Sequence, residues 1–268
     1  MAHTGLSRQE CAVTVLGGPT AVIDLAGLRI VSDPTFDEPG PQGYLTKTAG
    51  PACDENALGP VDLVLVSHDL HPDNLDGRGR TLAEAAPLVL TGPQSAARIG
   101  APARGLVPWA RHSVPRRDGD GDLTVMAVPA VHGPEDGERD ANGDINCEVT
   151  GFVLSGDGIP TVYVSGDNAS IRTVAEVSRR VPDIQVALLH AGAARVATKF
   201  EGRPLSMDSR RTAAAAAVLG VGIVIPAHYD GWTHFSEGRD ELEVAFHEAG
   251  LSSVLRASAH GSWVHLRP

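Results

Sequence analysis

Short apolar runs recur along this chain, and nearly every one is cut off by glycine, proline, aspartate or histidine. Runs of that length read as strands, and the residue that closes each run falls where the strand leaves its sheet. Residues 13–16, 21–25 and 28–32 predict a strand meander, with Ala26-Gly27 as a hairpin turn. Residues 63–67, LVLVS, are polar on neither face, as expected of a strand buried on both. Residues 88–91, 123–128, 151–154, 161–165, 184–189 and 221–225 have the same form, and 254–258 and 262–266 would close the chain. Helices are expected between them. Residues 93–99 stop at Gly100, 208–219 are alanine-rich and stop at Gly220, and 241–249 stop at Gly250. Residues 171–181 put Ile171, Val174, Val177 and Val181 on one stripe behind Ser170 as a cap. Strands come first in a cluster and then alternate with helices, which predicts a layered α/β protein rather than a pure β-sandwich. Two polar, glycine-rich segments, 113–122 and 133–145, read as exposed loops; neither is a linker, so one domain over 1–268 is expected.

Composition narrows the function more than the fold. With 33 acidic residues against 22 basic ones the formal charge is -11. A surface of that sign repels phosphate backbones, which disfavours a dedicated nucleic-acid binder and favours a small-molecule substrate. Cys11, Cys53 and Cys147 are far apart and form no CxxC pair, which argues against a disulfide framework and against a thiolate zinc site. The first ten residues have no apolar core of a signal peptide, and no apolar run is long enough for a bilayer. A cytoplasmic protein away from membranes is the expectation. A homo-oligomer stays open, because no exposed apolar stripe demands one.

The chemistry concentrates in histidine. Directly after LVLVS comes Ser67-His68-Asp69-Leu70-His71-Pro72-Asp73-Asn74-Leu75-Asp76, two imidazoles and several carboxylates in a stretch whose proline and asparagine oppose a regular helix at its start. Neutral imidazoles and carboxylates are the ligand set of zinc, manganese or iron. Three more predicted strands end alike: one delivers His132-Gly133, one Gly166-Asp167, one Ala227-His228-Tyr229. A single strand-end histidine or aspartate is usually an ordinary turn residue; four in one chain point to a shared centre. The DGDGD at 118–122 lacks the downstream glutamate of a calcium loop and reads as solvated.

This order, a His-rich turn, then VPAVHG, a strand ending in Gly-Asp, and a strand ending in Pro-Ala-His-Tyr, resembles the metallo-β-lactamase superfamily, in particular its branch of ascorbate-phosphate lactonases. The opening TAVIDLAGLRIVSDP, Met207-Asp208 and the GWTHFSEG segment are similar as well, so the likeness runs from about residue 13 to about residue 240. It implies a four-layer αβ/βα sandwich with one or two divalent ions at an edge between the sheets. The family motif HxHxDH lines up, with one residue added, as His68, His71 and Asp73, and Asn74 stands in place of its third histidine. By resemblance His68, His71 and His132 form the first metal site. Asp73, His228 and a bridging Asp167 form a second one, weakened by Asn74. Zinc is the expected ion, with manganese or iron as alternatives. Asp33, Asn74, His190, Tyr229 and His234 are expected around these ligands or against substrate, whereas His112, His247 and His265 read as solvated.

The implied activity is hydrolysis of a small ester, lactone or amide by a metal-bound hydroxide, with Asp73 and His228 in catalytic roles. Phosphodiester hydrolysis on the same fold is the alternative, and a relative that binds a ligand without turnover is another. Nothing in residues 35–60 or 133–147 names the substrate.

Overall fold

The computed structural model describes residues 5–119 and 121–266; the first four residues of the N-terminal stretch lie outside them. Strands β1 (Ala12–Gly17), β2 (Thr20–Leu25) and β3 (Leu28–Ser32) form the expected antiparallel meander. Ala26 and Gly27 both have positive φ (57° and 72°), as a two-residue hairpin of the I′ kind requires. A small ribbon, β4 (Gly40–Gln42) with β5 (Leu45–Lys47), stands apart. β6 (Leu63–Leu65), β7 (Val89–Thr91) and β8 (Ala103–Gly105) then extend the first sheet in parallel, with α1 (Gly77–Ala85) and α2 (Pro93–Ile99) as crossovers.

The second sheet starts with antiparallel β9 (Arg111–Pro115), β10 (Asp122–Pro129), β11 (Thr150–Ser155) and β12 (Val162–Val164). It continues in parallel through α3 (Ile171–Arg180) to β13 (Val186–His190), and through α4 (Ser209–Leu219) to β14 (Ile223–Ala227). α5 (Arg239–Glu248) packs on α4, and β15 (Val264–His265) returns to pair with β1.

Alternation along the strands decides the layers. Ile23, Leu25, Ile30, Leu63 and Leu65 of the first sheet meet Val125, Phe152, Leu154, Val162 and Leu188 of the second in one central core. The intervening Val22, Val31, Val64 and Val66 point the other way, against Ala83 of α1 and Ile99 of α2. Met126, Val153 and Leu189 likewise leave the second sheet outward, toward Val174, Ala213, Ala216, Leu242 and Phe246 of α3, α4 and α5. The result is the α/β four-layer αβ/βα sandwich of the metallo-β-lactamase fold. Among the described residues no helix is long and apolar enough to cross a membrane.

Caps fall where the sequence suggests. Ser170 accepts from the Thr173 N–H, Asp208 from Arg211, and Gly220 ends α4 in the left-handed region. Residues 254–258 are a correction: they form no strand, and Leu255 makes only an isolated bridge to Val224. Ala257, Ser258 and Ala259 bring too little apolar surface to hold a strand there.

Candidate metal centre

Each side chain of the cluster hangs on a turn that follows a strand. The turn after β6 carries His68, His71, Asp73 and Asn74; β10 leads to His132, β12 to Asp167, β13 ends at His190, and β14 leads to His228. These turns meet at one edge of the two sheets. Of the carboxylates after LVLVS, only Asp73 faces the cluster. Asp69 is drawn aside by Arg98 (2.6 Å) and Arg80 (3.3 Å), while Asp76 caps α1 and takes the ammonium of Lys47 (3.1 Å).

Three ring nitrogens converge. His71 Nδ1 lies 2.9 Å from His68 Nε2 and 3.0 Å from His132 Nε2, and all three rings are buried. His132 Nδ1 donates to the Leu205 carbonyl at 2.8 Å, which fixes the tautomer and leaves the Nε2 lone pair free toward the others. Burial holds all three below the ordinary histidine value, His71 down to about 3, so they are neutral donors at neutral pH. One imidazole proton cannot satisfy two facing nitrogens. A tetrahedral ion with bonds of about 2.0–2.1 Å would satisfy all three, since it needs its nitrogens only about 3.3 Å apart. The thiol of Cys147, also buried, has its sulfur within 4.8 Å of these nitrogens.

The carboxylates stand beside them. Asp167 follows Gly166, whose φ of 56° turns the chain against Ser67. Its Oδ1 accepts from His190 Nδ1 at 2.7 Å and lies 3.3 Å from His228 Nε2; its Oδ2 lies 3.7 Å from His132 Nε2. Asp167 therefore bridges the imidazole triplet and His228. Asp73 Oδ2 lies 3.1 Å from His228 Nε2 and 2.9 Å from His234 Nε2. Burial alone would raise both carboxyls. The imidazoles outweigh it: His228 and His234 hold Asp73 well below the usual carboxylate range, and His228 and His190 do the same for Asp167. His228 moves the other way, since burial lowers its affinity for a proton but Asp167 and Asp73 raise it further.

His228 is held in the left-handed region (φ 59°), with its N–H donating to the Gly18 carbonyl at 2.6 Å. Its ring stacks on His190 at 4.8 Å and 10° and touches Phe235 at 4.3 Å. Such a conformation in a bulky residue costs on the order of 1–3 kcal/mol and persists only where surroundings impose it. Behind the cluster Asp33, also at positive φ (43°), accepts the Ser67 N–H at 2.6 Å, and burial pushes its carboxyl up to about 7. Its other oxygen lies 3.8 Å from His190 Nε2.

The buried atoms Asp33 Oδ2, Asp73 Oδ1, Asn74 Oδ1, His190 Nε2, His228 Nδ1 and His234 Nδ1 have no hydrogen-bond partner. So many unpaired donors and acceptors around one point fit a cation far better than an apolar core. A narrow cleft opens onto the cluster, and Tyr44, Leu45, Val196, Lys199 and Leu205 line its mouth. Lys199 Nζ is 3.4 Å from His71 Nε2, donates to Asn146 Oδ1 at 3.2 Å and lies 5.0 Å over the Tyr44 ring.

His68, His71, Asp73, Asn74, His132, Asp167, His190, His228 and His234 thus come together, with Asp33 behind them. Tyr229 does not join them; it packs into the apolar layer with Leu242 and Phe246 of α5. His247 and His265 are exposed, whereas His260 pairs with Asp230 at 3.0 Å. Cys147, Lys199 and Tyr44 were not among the residues expected from sequence, because none of them ends an apolar run.

Known proteins resemble this chain over most of its length. The family model described as a beta-lactamase superfamily domain matches residues 28–229. A UPF0173 metal-dependent hydrolase of Methanosphaerula palustris is 31% identical over 206 residues, 75% of this chain and 83% of that protein. Among solved structures, an isothiocyanate hydrolase from Delia radicum gut bacteria superposes with a TM-score of 0.77 at 22% identity, covering 94% of this chain and 98% of the other. A "possible metal-dependent hydrolase" from Veillonella parvula gives 0.78 at 16% identity, covering 96% and 100%.

Proposed function

The chain belongs to the beta-lactamase superfamily and is a metal-dependent hydrolase, and on that premise we propose that it opens a small ester, lactone or amide at the His68–His71–His132 cluster. The convergence of three neutral imidazoles, with His71 Nδ1 about 3 Å from Nε2 of both His68 and His132, carries the reading. A nitrogen-rich set of this kind favours zinc, with manganese or iron as alternatives. A cation bound there supplies Lewis acidity, lowering the pKa of water from ~15.7 toward ~7. The protein's own residues do the rest. Asp73, ionised and facing the cavity, accepts a hydrogen bond from the attacking water and holds its lone pair toward substrate. His228, gripped by Asp73 and Asp167, keeps both carboxylates in place. Lys199 at the mouth presents a positive charge to the oxygen on which charge develops.

Elemental analysis of the purified protein, followed by chelation, tests this. We expect bound divalent metal, loss of hydrolysis of a lactone, ester and amide panel on chelation, and recovery with zinc, manganese or iron. Protein that carries no metal, or turnover indifferent to the chelator, overturns the reading. Cleavage of bis-nitrophenyl phosphate in preference to the panel would replace the substrate class by a phosphodiester.

A further inference from the structure

Asp73 Oδ2 receives two imidazoles, and only one of them sits at the end of a strand. His228 Nε2 approaches it at 3.1 Å from the end of β14, while His234 Nε2 approaches at 2.9 Å from six residues further on. These three atoms form a group apart from the imidazole triplet, within 4.8 Å of one another. Asn74 takes no part in it: its amide nitrogen points at Asp167 Oδ1, 3.4 Å away, and it offers no imidazole.

His234 is held in place rather than resting on the surface. The Thr233 N–H donates to the Thr46 carbonyl (3.1 Å), and the His234 carbonyl accepts from the Arg195 N–H (2.8 Å). Isolated bridges Lys47–Trp232 and Ala194–Phe235 fasten the same segment on either side. The His234 ring lies 4.4 Å from that of Phe235 and 6.2 Å from that of Trp232, and its side chain is only 7% exposed. A backbone anchored to two different loops, with aromatic neighbours on the ring, gives the imidazole one aim. That aim is Asp73. Oδ1 of Asp73 is also buried without a partner, so the carboxylate carries acceptor capacity that the two imidazoles leave unused.

We propose that His234 is a protein ligand of a second cation position, completing with Asp73 and His228 a donor set that Asn74 does not supply. Asp167, 3.3 Å from His228 Nε2 and 3.7 Å from His132 Nε2, joins this position to the first. The inference rests on the metal-dependent reading above, but its test separates the two.

Metal-stripped full-length protein is titrated with Zn²⁺ by calorimetry, and metal per chain is counted by elemental analysis after desalting. Wild-type protein should take two equivalents. His234→Ala should keep one and lose the other by about 100-fold or more in affinity, beyond the ~10–100-fold typical of a lost outer partner. His234→Gln keeps an N–H donor toward Asp73 and so serves a bracing role; it too should lose the second equivalent. His234→Glu, which returns an anionic oxygen at similar reach, should regain it. Thermal melts identify any variant that fails to fold, and the Gln and Glu variants then decide. Two equivalents at wild-type affinity in the Ala or Gln variant overturns the assignment, as does a wild type that saturates at one. A wild type that takes up no Zn²⁺ counts against the metal-dependent reading itself.

Discussion

His190 touches both acids that frame the cluster, Asp167 at 2.7 Å and Asp33 at 3.8 Å, while its face stacks on His228. We therefore propose that it positions Asp167 instead of meeting substrate. His190→Ala should weaken metal binding by roughly 10–100-fold, read by competition with a chromophoric chelator; unchanged affinity would leave His190 a passive core residue. At this scale the sequence was informative wherever a polar residue ends an apolar run, because a strand fixes the direction in which the next side chain leaves the sheet. His68, Asp167 and His228 announce themselves that way. Lys199 and Cys147 do not, since they reach the site from long loops whose path is set by contacts far away in the chain, and Tyr44 does not, since it stands in the short turn between β4 and β5. The aim of His234 was illegible for the same reason: its backbone is tied to Thr46 and Arg195, not to its neighbours.

Among the elements, legibility tracked burial. The central strands are continuous apolar runs with one solution. The edge strands β8 and β9 carry Arg104 and Arg111, the kind of charge that protects a sheet edge and also hides a strand from pattern reading. α1 opens Gly-Arg-Gly, a poor helix former, yet it stands because Asp76 caps it, and Gly79 is required because a Cβ there would lie 1.8 Å from the Pro34 carbonyl oxygen. Contact, not propensity, chose that residue. The turn after β13 obeys the same rule. A Cβ at Gly192 would come within 2.2 Å of the His228 carbonyl and 2.7 Å of Tyr229 Cα. Gly192→Ala should therefore push apart the ends of β13 and β14, costing about 1–3 kcal/mol by overpacking and loosening the grip on metal along with it. Denaturant melts and metal content check both effects; an unaltered midpoint would mean the two turns yield freely.

Over the whole molecule, the far C-terminal loop is tied to the first hairpin. His260 Nε2 pairs with Asp230 at 3.0 Å, Asp230 accepts the Gly18 N–H at 3.2 Å, and the Gly18 carbonyl holds the His228 N–H. The Asp230 carboxylate raises the His260 pKa above its ordinary 6.5, although burial opposes it. A histidine raised in the folded state lends stability below its unfolded pKa and loses it as pH rises through the folded one. Wild-type protein should thus lose a few tenths to about 1 kcal/mol between pH 6 and pH 8.5 that His260→Gln does not lose. Parallel melting curves for the two proteins across that window would contradict the tie. The spread of the cluster along the chain has a consequence of its own. His68, His71 and His132 stand in the first half of the sequence and His228 and His234 in the second, so an amino-terminal fragment holds the triplet without the imidazoles that face Asp73. If the second position fills as proposed, its closure follows the emergence of His234 from the ribosome, whereas the imidazole triplet can capture an ion earlier, so the two ions would load at different stages of synthesis.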